Sequence, residues 1–420
     1  VFGTGWANVQ SNFHGWTIGN FGNTAALTAT ASSSGNNQAL AAVFGAGWAD
    51  INSNFHGWMI GNFGDNAALT ATASSPGSQA FAAVFGTGWA TGWANNNSEF
   101  SSWRIENFDD HAVLTATASS PSSQAFAAVF GTGWATGWAN NNSEFSDWVI
   151  GNFGDHAALT AIASSSGNQA FAAVFGTGWA NANSEFSGWN IGNFGESLMA
   201  FAHARDYSGV FGAGWLKDDG ITFSNWTIGD IGANSTLFST SFCSTIFGSA
   251  RLNNNASINN WTIGNIGDGA TLITYSSNQN FTYTANHDST LRQYYGSFGS
   301  VFGSAFNESL IDNPNNWTVE FRGNALCSSI GDNAGGTTNV HLGTLGGDKN
   351  SDFRFYFNAI DAQNPTVTIA ALKLDGPAVI EDGKVKLSLS SDQGGGGLCQ
   401  SDCAWPKLSI KYWAQPNHGQ

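Results

Sequence analysis

Residues 79–89 read Gln-Ala-Phe-Ala-Ala-Val-Phe-Gly-Thr-Gly-Trp, and this stretch decides the fold class. Its last six residues belong to a phrase, Val-Phe-Gly-x-Gly-Trp, that returns along the chain. The phrase starts at residues 1, 43, 84, 129, 174 and 210, and degraded copies start at 246 and 301. A period of about 20–50 residues is typical of a solenoid, a propeller or another repeat array.

The hydrophobic period within a unit is two rather than 3.6, which indicates strands and not helices. Residues 27–32, Leu-Thr-Ala-Thr-Ala-Ser, alternate between two faces, and the same alternation places Phe81, Phe85 and Trp89 on one face. Segments rich in Ser, Gly, Asn and Pro separate these runs and indicate turns. The sequence therefore predicts an all-β stack of about eight units, each with three or four strands. An eight-bladed β-propeller is the alternative fold.

The repeat pattern divides the chain into two parts. Eight units fill residues 1–345, with starts near 1, 43, 84, 129, 174, 210, 246 and 301. Residues 346–420 contain most of the lysines, and runs such as Lys407–Trp413 alternate cleanly between polar and apolar residues. Such alternation is typical of a half-exposed antiparallel sheet. We therefore expect a small C-terminal antiparallel β domain or cap.

The charge balance excludes two classes of protein. Thirteen Lys and Arg against 29 Asp and Glu leave a net charge of −16, whereas a nucleic-acid-binding protein needs cations for the phosphates. No apolar stretch approaches the roughly 18 residues of a membrane-spanning helix. We expect neither nucleic acid nor a membrane span.

Motifs for chemistry are missing from the sequence. We find no Ser/His/Asp arrangement, phosphate-binding loop, dinucleotide fingerprint or zinc motif. His14 and His56 occupy one repeat position, and His111 and His156 occupy another. A stacked repeat would turn each pair into a surface column instead of converging metal ligands. The sequence therefore predicts no enzyme, no cofactor and no metal site.

The aromatic residues are the candidate functional residues, because stacking would align them from one unit to the next. Asn and Gln at equivalent positions would form amide ladders in the same way. The body also lacks the edge lysines and most of the prolines that block edge-to-edge pairing in soluble β proteins. The predicted aromatic ladder, which would mediate assembly, consists of Trp6, Trp16, Trp48, Trp58, Trp89, Trp103, Trp134, Trp148, Trp179, Trp189, Trp226, Trp261 and Trp317.

In composition and in its near-identical, cross-β-like units, the body resembles extracellular matrix and sheath proteins, including the amyloid-like sheath subunits of some archaea. The resemblance implies an extracellular structural protein whose partner is itself, assembled into a fibre, sheath or surface layer. The first unit carries no charged side chain before Asp50. We therefore expect its edge to pair with another subunit.

Two other functions stay open at this point. Repeated Trp beside Asn and Asp turns suits a lectin that binds carbohydrate in Trp-lined pockets, one per unit. The Thr-x-Thr pairs Thr28/Thr30 and Thr70/Thr72 resemble the threonine ranks of ice-binding solenoids, which makes ice binding a minor alternative.

Covalent modification would fit an exported protein, and the start at Val1 agrees with processing. Candidate N-glycosylation sites, in Asn-x-Ser/Thr triplets, are Asn96, Asn141, Asn225, Asn234, Asn255, Asn260, Asn280, Asn307 and Asn316. The candidate disulfide residues are Cys243, Cys327, Cys399 and Cys403. Four cysteines allow three pairings, and the sequence does not choose among them.

Overall fold

The structure is a computed structural model of the chain. The residues that it describes are 1–7, 11–49, 53–91, 98–136, 143–166, 169–181, 184–217, 221–241, 243–252, 257–259, 261–266, 270–276, 282–287, 290–295, 298–307, 317–322, 326–329, 337–346, 354–356, 366–375, 380–381, 384–385 and 407–413. Every regular element in these residues is a strand, and none is a helix.

Each of the first seven units of the body contributes four described strands, and we call these four strands a rung. Equivalent strands of successive rungs pair in parallel, so that Phe2 lies opposite Phe44 and Trp48 opposite Trp89. The near-identity of the units explains this register, because any shift would break the matches between identical side chains. The prediction of an all-β repeat stack is confirmed.

The four strand types of a rung form four separate sheets. The long-strand sheet has eight strands: Phe2–Ala7, Ala39–Ala49, Ala80–Thr91, Ala125–Thr136, Ala170–Asn181, Tyr207–Leu216, Cys243–Leu252 and Phe298–Asn307. The Ser-Glu sheet has seven: Asn12–His14, Asn54–His56, Ser98–Glu99, Ser143–Ser146, Ser184–Ser187, Thr222–Ser224 and Ser257–Asn259.

The other two sheets extend into the C-terminal part of the chain. The Trp-x-Ile sheet has eleven strands: Thr17–Ile18, Met59–Ile60, Arg104–Ile105, Val149–Ile150, Asn190–Ile191, Thr227–Ile228, Thr262–Ile266, Trp317–Arg322, Thr337–Gly346, Thr366–Asp375 and Lys407–Trp413. The Thr sheet has nine: Ala26–Ser32, Ala68–Ser74, Val113–Ser119, Ala158–Ser164, Met199–Ala204, Thr236–Ser241, Thr271–Ser276, Leu326–Ser329 and Arg354–Tyr356.

The expected antiparallel arrangement after residue 345 is wrong for the main strands there. Thr366–Asp375 pairs in parallel with Thr337–Gly346, and Lys407–Trp413 pairs in parallel with Thr366–Asp375. Alternation of polar and apolar residues predicts one exposed face, but it does not fix the direction of a strand. These strands continue a sheet that is already parallel. The described antiparallel pairs are two hairpins, Thr282–His287 with Thr290–Tyr295 and Ile380–Glu381 with Lys384–Val385.

The propeller alternative also fails. A propeller blade is a sheet formed within one unit. Here the long strand of each described unit instead pairs with the long strands of the units before and after it, as Ala125–Thr136 does with Ala80–Thr91 and Ala170–Asn181. In the part of the chain that the structure describes, no sheet closes on itself.

The long strand folds back on itself, which the simple alternation did not predict. Phe81 and Trp89 are eight residues apart, about 26 Å in an extended strand, yet their ring centroids lie 5.4 Å apart. The chain bends around Gly86, whose φ of 116° is open to glycine and strained for other residues.

The bend creates two cores. Phe85 faces the main core between the sheets, whereas Phe81 and Trp89 pack inside the bend. The prediction that these three side chains share one face is therefore wrong, because a positive φ in mid-strand interrupts the alternation.

Candidate assembly interface

The interface between successive rungs is the candidate functional site, because the predicted ladder residues with described side chains lie in it. In the main core, one tryptophan from each rung stacks on the next at centroid distances of 4.6–4.8 Å. This first ladder consists of Trp16, Trp58, Trp103, Trp148, Trp189, Trp226 and Trp261. All members except Trp16 are fully buried.

Each buried indole of the first ladder also bonds to the rung before it. The Nε1–H of Trp58 donates to the carbonyl oxygen of Phe13 at 2.6 Å, and that of Trp148 donates to Phe100 at 2.6 Å. The same bond recurs in the other four buried members of the ladder. The tryptophan therefore joins two rungs both through its ring and through its polar group, which satisfies a donor that would be costly to bury alone.

Phenylalanines form further columns in the main core, and two of these columns pack against each other. The column from Phe44 to Phe247 stacks at 4.8–5.1 Å between centroids. It meets the column from Phe21 to Phe194 edge-on, with centroids about 6 Å apart, as in the pair Phe85–Phe108. Stacked and edge-to-face contacts therefore alternate through the core, and they recur from rung to rung as far as the pair Phe194–Phe211.

A second tryptophan ladder fills the inside of the bend. Trp48, Trp89, Trp134 and Trp179 follow one another at 4.6–4.9 Å, beside a column of Phe81, Phe126 and Phe171. The thirteen predicted tryptophans therefore do not form one ladder. Trp6 and Trp317 lie on the strands Phe2–Ala7 and Trp317–Arg322, but their side chains are outside the described residues.

Two residues of this second core were missed from the sequence. Trp215 continues the ladder, at 5.5 Å from Trp179, and Arg251 takes the tryptophan position in the next rung. The Arg251 guanidinium lies 4.2 Å from the Trp215 ring centroid and donates to the Tyr207 hydroxyl at 2.9 Å. Trp215 stands in the phrase that begins at Val210, so the motif itself could have identified it.

Close packing of the rungs depends on one glycine in each long strand. A Cβ placed on Gly86 would lie 1.9 Å from the carbonyl oxygen of Gly131, and a Cβ on Gly131 would lie 2.0 Å from that of Gly176. Both positions have φ near 115°. Glycine is therefore required here both by the backbone conformation and by the neighbouring backbone.

Amide ladders occur as the sequence predicts. The side chain of Gln79 donates to Gln124 at 2.7 Å and accepts from Gln38 at 2.8 Å. Along another column, the side-chain oxygen of Asn107 accepts from the backbone N–H of Asn152 at 2.8 Å. These bonds pair polar side chains with the same residue type in the next rung, so they favour the parallel register.

Threonines line the outer face of the Thr sheet. Thr28, Thr70 and Thr115 lie opposite one another in register, and the second threonine of each pair does the same. These side chains are exposed or half-buried, whereas the intervening alanines face the core. In later rungs the column continues with Phe201 and Phe238.

The histidine pairs form columns. The ring centroids of His111 and His156 lie 4.9 Å apart, and those of His14 and His56 lie 6.5 Å apart. Among the described residues, no three His, Cys, Asp or Glu side chains are placed to hold a metal ion.

The modification candidates fall mostly outside the described residues. Asn225 and Asn234 are exposed and lie in turns with φ of 57° and 56°. Asn307 ends the strand Phe298–Asn307, and Cys243 and Cys327 lie in strands whose cysteine side chains are not described. The candidates outside the described residues are Asn96, Asn141, Asn255, Asn260, Asn280, Asn316, Cys399 and Cys403.

No known family model matches the chain. Likewise, no curated protein and no solved structure matches it. The described residues contain no helix long and apolar enough to cross a membrane. The functional argument for this chain therefore rests on its own geometry.

Proposed function

We propose that the protein is an extracellular structural protein that self-assembles by adding rungs to its stack, forming a fibre, sheath or surface layer. One observation supports this proposal above the others: successive rungs are joined by the same contacts along the body. Those contacts are backbone hydrogen bonds, ring stacking and glycine-to-carbonyl packing, and they need only another surface of the same pattern.

The rung of residues 2–32 offers such a surface. Trp16 is 36% exposed, and among the described residues none accepts a hydrogen bond from its indole, although the next six members of the ladder each donate to the rung before them. Phe2, Phe13 and Phe21 are only partly buried, while their counterparts in the next rung are fully buried. A rung from a second copy would cover these rings and give the indole an acceptor.

The extracellular setting is supported by surface features rather than by the interface. Asn225 and Asn234 are exposed sequons, so glycans attached there would leave the stacked rings untouched. The net charge of −16 would keep the sides of an assembly hydrated and separate.

The lectin alternative is less well supported than assembly. Sugar-binding platforms need an accessible ring face, but six members of the first ladder are completely buried, and five of these lie between two neighbouring rings. Ice binding has one specific observation in its favour, the in-register threonines on the outer face of the Thr sheet. Thermal hysteresis of the purified protein tests it directly, and a zero value would remove it.

A pair of double variants tests assembly through the outer rung. Phe2→Lys with Thr4→Lys places two charges on the strand that would pair with a second copy. Thr115→Lys with Thr117→Lys adds the same charge to the outer face of the Thr sheet in an inner rung and serves as the control. Sedimentation velocity and negative-stain electron microscopy should show assemblies for the parent and the control, and monomers or short oligomers for the edge variant.

Two results would contradict the proposal at different levels. If the parent stays monomeric at all concentrations, self-assembly itself is wrong. If the edge variant assembles as well as the control, assembly occurs through lateral contacts and not through the outer rung.

A further inference from the structure

Three glutamates form a column through the Ser-Glu sheet. Glu99 lies opposite Glu144, and Glu144 lies opposite Glu185, in parallel strands that pair in register. Neighbouring strands are about 4.8 Å apart, so the three carboxylates follow one another at single-strand spacing. Like charges directly opposite each other on paired strands destabilise a sheet.

The hydroxyl of a nearby serine fixes the orientation of each glutamate. Ser146 donates to an oxygen of Glu144, Ser101 donates in the same way to Glu99, and Ser187 donates to Glu185 at 2.6 Å. The glutamates are only partly exposed, as the value of 35% for the Glu99 side chain illustrates. The carboxylates are therefore held in place instead of spreading apart into water.

The described surroundings of Glu144 provide no cation to offset this repulsion. Asp147, in the adjoining turn, adds a further negative charge, and the strands Ala125–Thr136 and Val149–Ile150 carry no charged residue. Two basic groups that form ion pairs among the described residues lie elsewhere along the stack. His56 is 4.0 Å from Glu99, on the side away from Glu144, and Arg104 pairs with Glu106 at 2.6 Å.

The column ends in neutral residues. Asn54 lies opposite Glu99 on one side, and Thr222 lies opposite Glu185 on the other. Glu144 is thus the middle member of an isolated set of three, with a carboxylate on both neighbouring strands. Protonation of this one residue would remove both direct repulsions at once.

We propose that the glutamate column is an acid-responsive element, in which protonation of Glu144 strengthens the stack as the pH falls from neutral to mildly acidic values. The inference concerns the stack itself and holds whether or not the protein assembles with other copies. This contribution to the stability of any structure built from the stack would grow as the pH falls.

The direction of the effect follows from the electrostatics of Glu144. Burial raises the pKa of this carboxyl above 4.5, and the charges of Glu99 and Glu185 raise it further, against the lowering effect of the Ser146 hydrogen bond. A carboxyl whose pKa is raised by folding stabilises the folded state fully below its unfolded pKa. That contribution is lost as the pH rises through the folded pKa.

The experiment compares apparent melting temperatures at pH 4.5 and pH 7.5. Glu144→Gln keeps an acceptor for Ser146 and mimics the protonated form, so it should raise the melting temperature at pH 7.5 by about 2 °C or more. At pH 4.5 the gain should fall to less than half. Asp230→Asn, which removes an exposed carboxylate whose neighbour in its own column is the neutral Asn193, is the control and should change the melting temperature by less than about 1 °C at either pH.

A second variant keeps the test valid if Glu144→Gln fails to fold. Glu99→Gln with Glu185→Gln leaves Glu144 ionisable but removes its two neighbours, and it should also raise the melting temperature at pH 7.5. Asp206 is another buried carboxyl with a raised pKa, so only differences between variants and parent are interpreted. If Glu144→Gln has the parent's pH dependence, or if neither variant is stabilised at pH 7.5, the proposal is wrong.

Discussion

Replacing Gly131 by alanine should separate two rungs in the middle of the body. The new Cβ would lie 2.0 Å from the carbonyl oxygen of Gly176, where an ordinary contact begins near 3.4 Å. The residue would also have to keep a φ of 115°. The change therefore affects both the conformation of one residue and the distance between two backbones.

The size of the effect can be worked out from these two contributions. An L-residue forced into this region of φ costs about 1–3 kcal/mol. Relief of the contact requires local separation by roughly 1 Å, which takes the adjoining N–H···O bonds beyond hydrogen-bond distance. Two such bonds lost at about 1 kcal/mol each bring the total to about 3–5 kcal/mol.

Amide hydrogen exchange measures this loss locally, which suits a long repeat whose units can open separately. A loss of 3 kcal/mol corresponds to roughly 100-fold faster exchange in the strands Ala125–Thr136 and Ala170–Asn181. Gly35→Ala is the matched control, because a Cβ at that exposed turn meets nothing within 4 Å. Equal exchange in the two variants would refute the claim that the rungs pack too closely for any side chain at Gly131.

Three further predictions concern other parts of the stack. Trp148→Phe should lower the free energy of unfolding by about 2 kcal/mol, because the Phe100 carbonyl loses its donor. Trp16→Phe, at an exposed ring, is the control and should change the free energy of unfolding little. Equal losses in the two variants would contradict the role of the hydrogen bond. Burial lowers the pKa of His203 below 6.5. Protonation of this imidazole should therefore cost the parent stability as the pH falls below about 6.5. Melting temperatures of His203→Asn, measured over the same pH range, should lack this loss. Trypsin should leave residues 1–203 intact, because their single basic residue, Arg104, lies in a paired strand; rapid cleavage there would argue against a packed stack.

Much of the fold follows from the sequence alone. The return of Val-Phe-Gly-x-Gly-Trp at a near-constant period indicates the stacked units, and the period of two within each unit indicates strands. Identical units bring identical residues together once they stack, so the ladders of Trp58 and Trp103 and of Gln79 and Gln124 could be predicted without coordinates. These properties depend on local pattern and on repetition, which a sequence displays directly.

Other features were decided only by the tertiary structure. The bend at Gly86 separates Phe85 from Phe81 and Trp89, and alternation cannot reveal it, because a positive φ at one glycine changes the direction of the chain without changing the pattern of residues. The parallel direction of Lys407–Trp413 likewise depends on the sheet it joins and not on its own alternation. The column of Glu99, Glu144 and Glu185 is visible as a recurrence in the sequence, but its repulsion exists only because pairing in register sets the carboxylates one strand apart. Residues some 45 positions apart come into contact, and become buried, only when whole rungs pack on one another. That is the physical reason why these distances could be known only from the folded chain.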